Sequence, residues 1–192
     1  FVPAHAGIIQ LQVGTADTKA AAEQVAELHK VRPGHPTTRY FQAQVAYLQG
    51  DHKAAKELVL QLLKGSADHP QLNQLAGAIE LASGSNEAAR AYLNKALQAA
   101  PGSVLARRLL ASAHLKAGEP GKALELLQPL LAQAPPDGVA LAIAGQAYML
   151  LGDLDEASVV FSQAAKANPT NPHNLTALAR TRFLQGDEVG AV

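Results

Sequence analysis

The sequence predicts an all-α solenoid of antiparallel helix pairs, and three observations carry that expectation. Gly50, Gly84, Gly118, Gly152 and Gly186 stand 34 residues apart without an insertion. Five residues after each comes an alanine: Ala55, Ala89, Ala123, Ala157 and Ala191. Between these marks apolar residues recur at three and four positions, as in Leu141, Ala144, Ala147, Tyr148 and Leu151, then again in Ala157, Val160, Phe161 and Ala164. That spacing is one buried helical face per segment, and a fixed period of this length is the signature of a stacked repeat.

Within one period the elements follow in order. The first helix has a small residue seven positions before the glycine: Ala43, Gly77, Ala111, Gly145 and Ala179. The glycine ends that helix, where a left-handed residue is needed and glycine adopts it at least cost. The Asp, Asn or Glu that follows caps the second helix or faces its positive end. The second helix stops near a proline seventeen residues past the turn, at Pro33, Pro101, Pro135 and Pro169, with Ala67 breaking the series. One period earlier the glycine is replaced by Ala16, whereas Ala21 keeps the later alanine. Pro129 falls inside the second helix of the fourth period and is expected to bend or break it.

Composition narrows the function. Aromatic residues are 4% of a chain that is 48% hydrophobic, and there is no Trp, so Ala and Leu supply the apolar surface and favour helix. Lys plus Arg and Asp plus Glu are 16 each, a balance without the basic excess that phosphate neutralisation requires, so no nucleic-acid partner is expected. With no cysteine there is no disulfide or thiolate site. No apolar run reaches a membrane-spanning length, so no span is expected in this segment. The best phosphate-loop candidate, "GEPGKA" at 118–123, lacks the four-residue spacing between its glycines and a hydroxyl after Lys122. Pro120 suits the first turn of a helix there. None of the seven histidines pair at helical spacing, and His35 and His69 lie one period apart, so no metal site is expected. Asp153 and Asp155 sit at a helix start, where a cap explains them, and no nucleophile–base pair is present. The expectation is a non-enzyme without catalytic, cofactor or metal residues.

A 34-residue helix–turn–helix period with a small residue in the first helix, Gly at the turn, Ala after it and Pro at the end resembles the tetratricopeptide repeat. The resemblance covers the whole chain and implies a right-handed superhelical stack of about five full repeats (2–35, 36–69, 70–103, 104–137, 138–171) and a truncated sixth (172–192). His5, Arg39, Asn73, Arg107, Leu141 and Leu175 stand where the family often has Trp, and the expected Tyr appears only as Tyr148, or one residue late as Tyr47. The stretch "LNKALQAAPGSVLARRLLASAHLKAGEPGKALELLQPLLAQAPPDG" with "AGQAYMLLGDLDEAS" further resembles the repeat lipoproteins that accompany bacterial PEP-CTERM protein sorting and exopolysaccharide gene clusters. That implies an exported Gram-negative protein, periplasmic and lipid-anchored in full length, with a cytoplasmic location as the alternative. Phe1 at the tail of a period and Val192 early in a second helix suggest an array excised from a longer chain.

The resemblance places binding on the concave wall formed by the first helices, as a scaffold for an extended peptide or partner helix. Three residues before the turn stand Val13, Tyr47, Leu81, Leu115, Met149 and Phe183; six before, Gln10, Gln44, Ala78, Ser112, Gln146 and Arg180; ten before, Tyr40, Gln74, Arg108, Ala142 and Thr176. The groove positions taken forward are Tyr40, Gln44, Tyr47, Gln74, Leu81, Arg108, Ser112, Gln146, Met149, Thr176, Arg180 and Phe183. An apolar stripe beside a polar ladder fits an extended chain with alternating side chains; the alternative is a stripe that packs against the neighbouring repeat and a ladder that is merely solvated. The family's Lys/Asn/Arg clamp on a carboxylate has no counterpart in consecutive repeats. From Glu87 to Lys122 there are six Lys or Arg against two Glu, and from Pro136 to Ala165 four acids without a base. This asymmetry either orients a charged partner or is a solvated surface. An empty architectural spacer and a direct polysaccharide binder, the latter resting on Tyr40 and Tyr47, are the rival readings. The apolar face of the truncated repeat, including Leu178, is expected to permit self-association.

Overall fold

The computed structural model describes residues 2–14 and 17–187, with the side chains of residues 2–5 and 13 left aside. Ala16 and Ala191, and the side chains of His5 and Val13, therefore lie outside the described residues. The described residues form helices and no strand. The chain divides into two compact units at Gly102/Ser103. The first contains α1 (Val2–Gly14), α2 (Thr18–Val31), α3 (Pro36–Leu48), α4 (His52–Leu63), α5 (Pro70–Ala82) and α6 (Asn86–Ala99). The second contains α7 (Val104–Lys116), α8 (Pro120–Leu131), α9 (Gly138–Leu151), α10 (Leu154–Ala167) and α11 (Pro172–Leu184).

The turn glycines behave as the period requires. Gly152 caps α9 at φ +79°, its N–H reaching the Met149 carbonyl at 3.2 Å, and the next N–H, of Asp153, reaches Tyr148 at 3.0 Å. A Cβ there would meet nothing within 4 Å, so the left-handed backbone, and not crowding, calls for glycine. The Asp153 carboxylate then accepts the Glu156 N–H at 3.2 Å and opens α10. Asp17 and Asp51 cap α2 and α4 in the same way. At α6 and α8 the cap position is held by Ser85 and Glu119 without a side-chain cap bond, and Glu87 and Glu119 stand at the positive helix ends. Glu119 instead binds the His114 ring at 2.6 Å and Lys122 at 2.8 Å.

Ala21, Ala55, Ala89, Ala123 and Ala157 are all fully buried, which bears out the assigned register. In the four pairs from α3–α4 to α9–α10 the first helix meets the second at a small residue, whereas α1 has the fully buried Ile9 at that position. A Cβ on Gly77 would lie 2.5 Å from Leu93 Cγ, and one on Gly145 2.7 Å from two ring carbons of Phe161. Glycine is thus required where the residue opposite is Leu93 or Phe161, both fully buried. In α3–α4 Ala43 shares a core with Val59, and in α7–α8 Ala111 with Leu127.

Cores run from each pair into the next first helix. In the first unit Ile9, Val25, Leu28 and Phe41 join α1, α2 and α3, while Ala43, Val59, Leu75 and Ile79 join α3, α4 and α5. In the second unit Ala111, Leu127, Leu130 and Ile143 join α7, α8 and α9. This nearest-neighbour burial is how repeats that cannot bury their own apolar faces become stable.

Pro129 neither breaks α8 nor shortens it uniquely. The helix continues past it to Leu131, and α4, which has no proline inside, ends at the equivalent Leu63. Only two residues follow Pro129 in the helix, so the lost donor costs one bond near an end that was already fraying.

Candidate functional site

The groove positions separate once packing is known. Leu81 is only 7% exposed, and this corrects its assignment to an open groove: α5 is buried from Leu72 through Leu81 apart from Gln74, so its apolar residues are core on every face. Tyr47 is half-buried against the α4–α5 core, its ring 6.0 Å from that of His52. Met149 is half-buried and its sulfur accepts the Thr181 hydroxyl at 3.5 Å, which ties α9 to α11. Phe183 is 63% exposed. The stripe is therefore mainly packing between neighbouring first helices, open at Phe183.

The polar positions differ in kind. Tyr40 is half-buried, its hydroxyl accepting from Gln44 Nε2 at 3.0 Å. Burial pushes the Tyr40 phenol above its ordinary value, and the Gln44 bond offsets part of the rise. Gln74 and Ser112 are half-buried, and Gln74 is hydrogen-bonded. Gln146, Thr176 and Arg180 are exposed, Thr176 donating to the Pro172 carbonyl at 2.9 Å. Arg108 is not a free groove cation: it forms an ion pair with Asp137, whose side chain is 7% exposed. Burial raises the Asp137 carboxyl, but the Arg108 hydrogen bond, the Ala140 N–H at 2.8 Å, the Arg108 charge and the Val139 N–H together hold it below the ordinary carboxylate range. The local basic excess is thus partly satisfied internally, through Arg108–Asp137, Arg90–Glu87 and Lys122–Glu119.

Each unit has its own cavity beside the starts of the first helices. In the first unit, Tyr40, Thr37, Phe41, His69, Gln71, Leu72 and Gln10 surround about 330 Å³. His69 lines it, whereas His35 uses Nδ1 to cap α3 through the Thr37 N–H at 3.2 Å. In the second unit, Arg108, Asp137, Val139, Ala142, Asn168, Asn171 and Asn174 surround about 290 Å³. Sequence reasoning found Tyr40, Gln10, Arg108 and Ala142 through the period but missed Asp137, His69 and the three asparagines. Asn168, Asn171 and Asn174 cluster in "NPTNPHN" across the start of α11, where the pattern reads as capping and turn chemistry alone.

Among the described residues no group of three or more His, Asp or Glu could hold a metal ion, and no helix is long and apolar enough to cross a membrane. No curated protein matches the chain by sequence. Solved structures match across most of it. The type IV pilus biogenesis factor PilW superimposes with a TM-score of 0.83 at 19% identity, over 99% of this chain and 88% of that one. A thermophilic TPR protein of Thermus thermophilus superimposes with a TM-score of 0.79 at 18% identity, over 95% and 100%. MamA of Desulfovibrio magneticus does so at 0.71 and 19%, over 81% and 88%. At these identities the likeness establishes the fold, an all-α solenoid of helix pairs. Family models described as tetratricopeptide repeat match residues 8–70, 49–104, 80–147 and 140–171. With the 34-residue period, the positive-φ turns and the buried alanines, these matches establish that the chain belongs to the tetratricopeptide repeat family.

Proposed function

We propose that this chain is an interaction scaffold that holds an extended segment of a partner protein along the exposed polar edge of its first helices. The family is one of protein-binding modules, and the observation that carries the reading here is Gln146. Helix α9 is apolar almost throughout, with Ala140, Leu141, Ile143, Ala144, Gly145 and Ala147 buried, yet Gln146 in its middle is exposed. Between Ala140 and Ala147, a stretch otherwise buried or half-buried, the one exposed residue is the hydrogen-bonding Gln146, a narrow edge suited to main-chain contacts with an extended segment. Arg180 is exposed at the equivalent position one period later.

The setting we propose is an exported bacterial exopolysaccharide or protein-sorting system, with the full-length protein periplasmic and lipid-anchored. Support for this comes from the likeness of residues 93–158 to the repeat lipoproteins of such systems. The test is selection of extended peptides from a display library against the chain. Binders should lose affinity for a Gln146→Ala, Arg180→Ala variant whose stability is nearly unchanged, since both residues are exposed and surface substitutions stay within about 0.5 kcal/mol. A spacer selects no binder, and a polysaccharide binder selects none but retains an acidic or neutral glycan on an affinity gel.

A further inference from the structure

We infer that the cavity between α7, α9 and α11 is a pocket for one carboxamide side chain, asparagine or glutamine, of the bound segment; this rests on the scaffold reading above. Its oxygens are mostly committed. Asp137 accepts from Ala140 and from Arg108. Asn168 Oδ1 accepts the Thr170 hydroxyl at 3.0 Å, and Asn171 Oδ1 accepts the His173 N–H at 3.0 Å. What remains among the lining groups are donors, the side-chain NH2 groups of Asn168 and Asn171, while the Arg108 guanidinium is held by Asp137.

One acceptor stands against them. Asn174 is 4% exposed and lines the cavity; its Nδ2 donates to the Ala164 carbonyl at 3.1 Å, leaving its own carbonyl oxygen for a ligand. Several donors and one buried acceptor match a group with one carbonyl and one NH2. A volume of about 290 Å³ lies at the small end of ligand pockets and has room for such a side chain. Charge decides between the amide and its isosteric acid. Arg108 and Asp137 cancel, so a carboxylate would enter a neutral site against the Asp137 charge and would leave Asn174 facing an oxygen instead of an N–H.

The probes are two capped pentapeptides, four alanines around a central glutamine or a central glutamate, titrated into the whole 15N-labelled chain. The glutamine probe should shift the side-chain NH2 signals of Asn168, Asn171 and Asn174, with the glutamate probe about tenfold weaker, the effect of one unmade hydrogen bond. Asp137→Asn keeps a residue that caps α9 well and frees the Arg108 charge, so the preference should reverse. Arg108→Gln leaves the Asp137 charge uncompensated beside the cavity and should weaken the glutamate probe further. Equal response to both probes, or preference for glutamate in the native chain, overturns the pocket assignment. Shifts elsewhere on the first helices with silent pocket signals overturn the pocket and leave the scaffold standing. No shift with either probe, in a chain that still binds library-selected peptides, also overturns the pocket alone; no binding of any peptide overturns both.

Discussion

Gly145→Ala tests the close approach that sets the helix-pair geometry. The new Cβ would lie 2.7, 2.7 and 2.8 Å from Cε1, Cζ and Cδ1 of Phe161. Carbon–carbon contacts settle near 3.5–4.0 Å, so ring or helix must move by about 1 Å. Phe161 is 1% exposed and has no open side to swing into. Overpacking of this size costs about 1–3 kcal/mol. Replacing a mid-helix glycine by alanine returns about 1 kcal/mol of helix propensity, leaving a net loss of about 1 kcal/mol. The assay is thermal and urea unfolding, with an expected fall in Tm of about 2–4 °C. Phe161→Leu supplies the second arm, because alanine opposite leucine is the pair the chain itself uses at Ala111 and Leu127. Gly145→Ala with Phe161→Leu should be more stable than the two single losses sum to, by about 1 kcal/mol or more. If Gly145→Ala alone stabilises by its propensity gain, or the two changes merely add, the contact is not the constraint argued here.

Ala123→Leu should cost about 1–3 kcal/mol in urea unfolding, because Ala123 is fully buried and the site has no room for three more carbons. Gly152→Ala should cost about 1–2 kcal/mol through its φ of +79° alone, and Gly152→Asn less, because asparagine tolerates the left-handed region better. For Asp137 the sign follows from its lowered carboxyl: the stabilisation is present above the unfolded Asp value of about 3.9 and is lost as pH falls through the lower folded value. The stability gap between the native chain and Asp137→Asn, measured by unfolding from pH 7 to pH 2, should be constant near neutrality and shrink below about pH 4. A gap independent of pH would mean that Arg108 and the Ala140 and Val139 N–H groups do not outweigh the burial of the Asp137 carboxylate.

The period, the helix pairs, the turns at Gly50 through Gly186 and the burial of Ala55 through Ala157 were legible in the sequence. Each depends on backbone conformation or on contact between helices adjacent in sequence, and a repeated pattern records both. The small residue of the first helix was legible too, but its partner was not: only the structure sets Gly77 against Leu93 and Gly145 against Phe161. Tertiary packing also made Leu81 core, carried α8 past Pro129 and joined Arg108 to Asp137 across 29 residues. Asn168, Asn171 and Asn174 read locally as caps and turn formers, and in part they are. What they present to the cavity depends on which of their oxygens and N–H groups the neighbouring helices have already taken. A linear pattern fixes which side chains lie on a helix face, but the hydrogen-bonding capacity left over at a site is set by every partner in three dimensions.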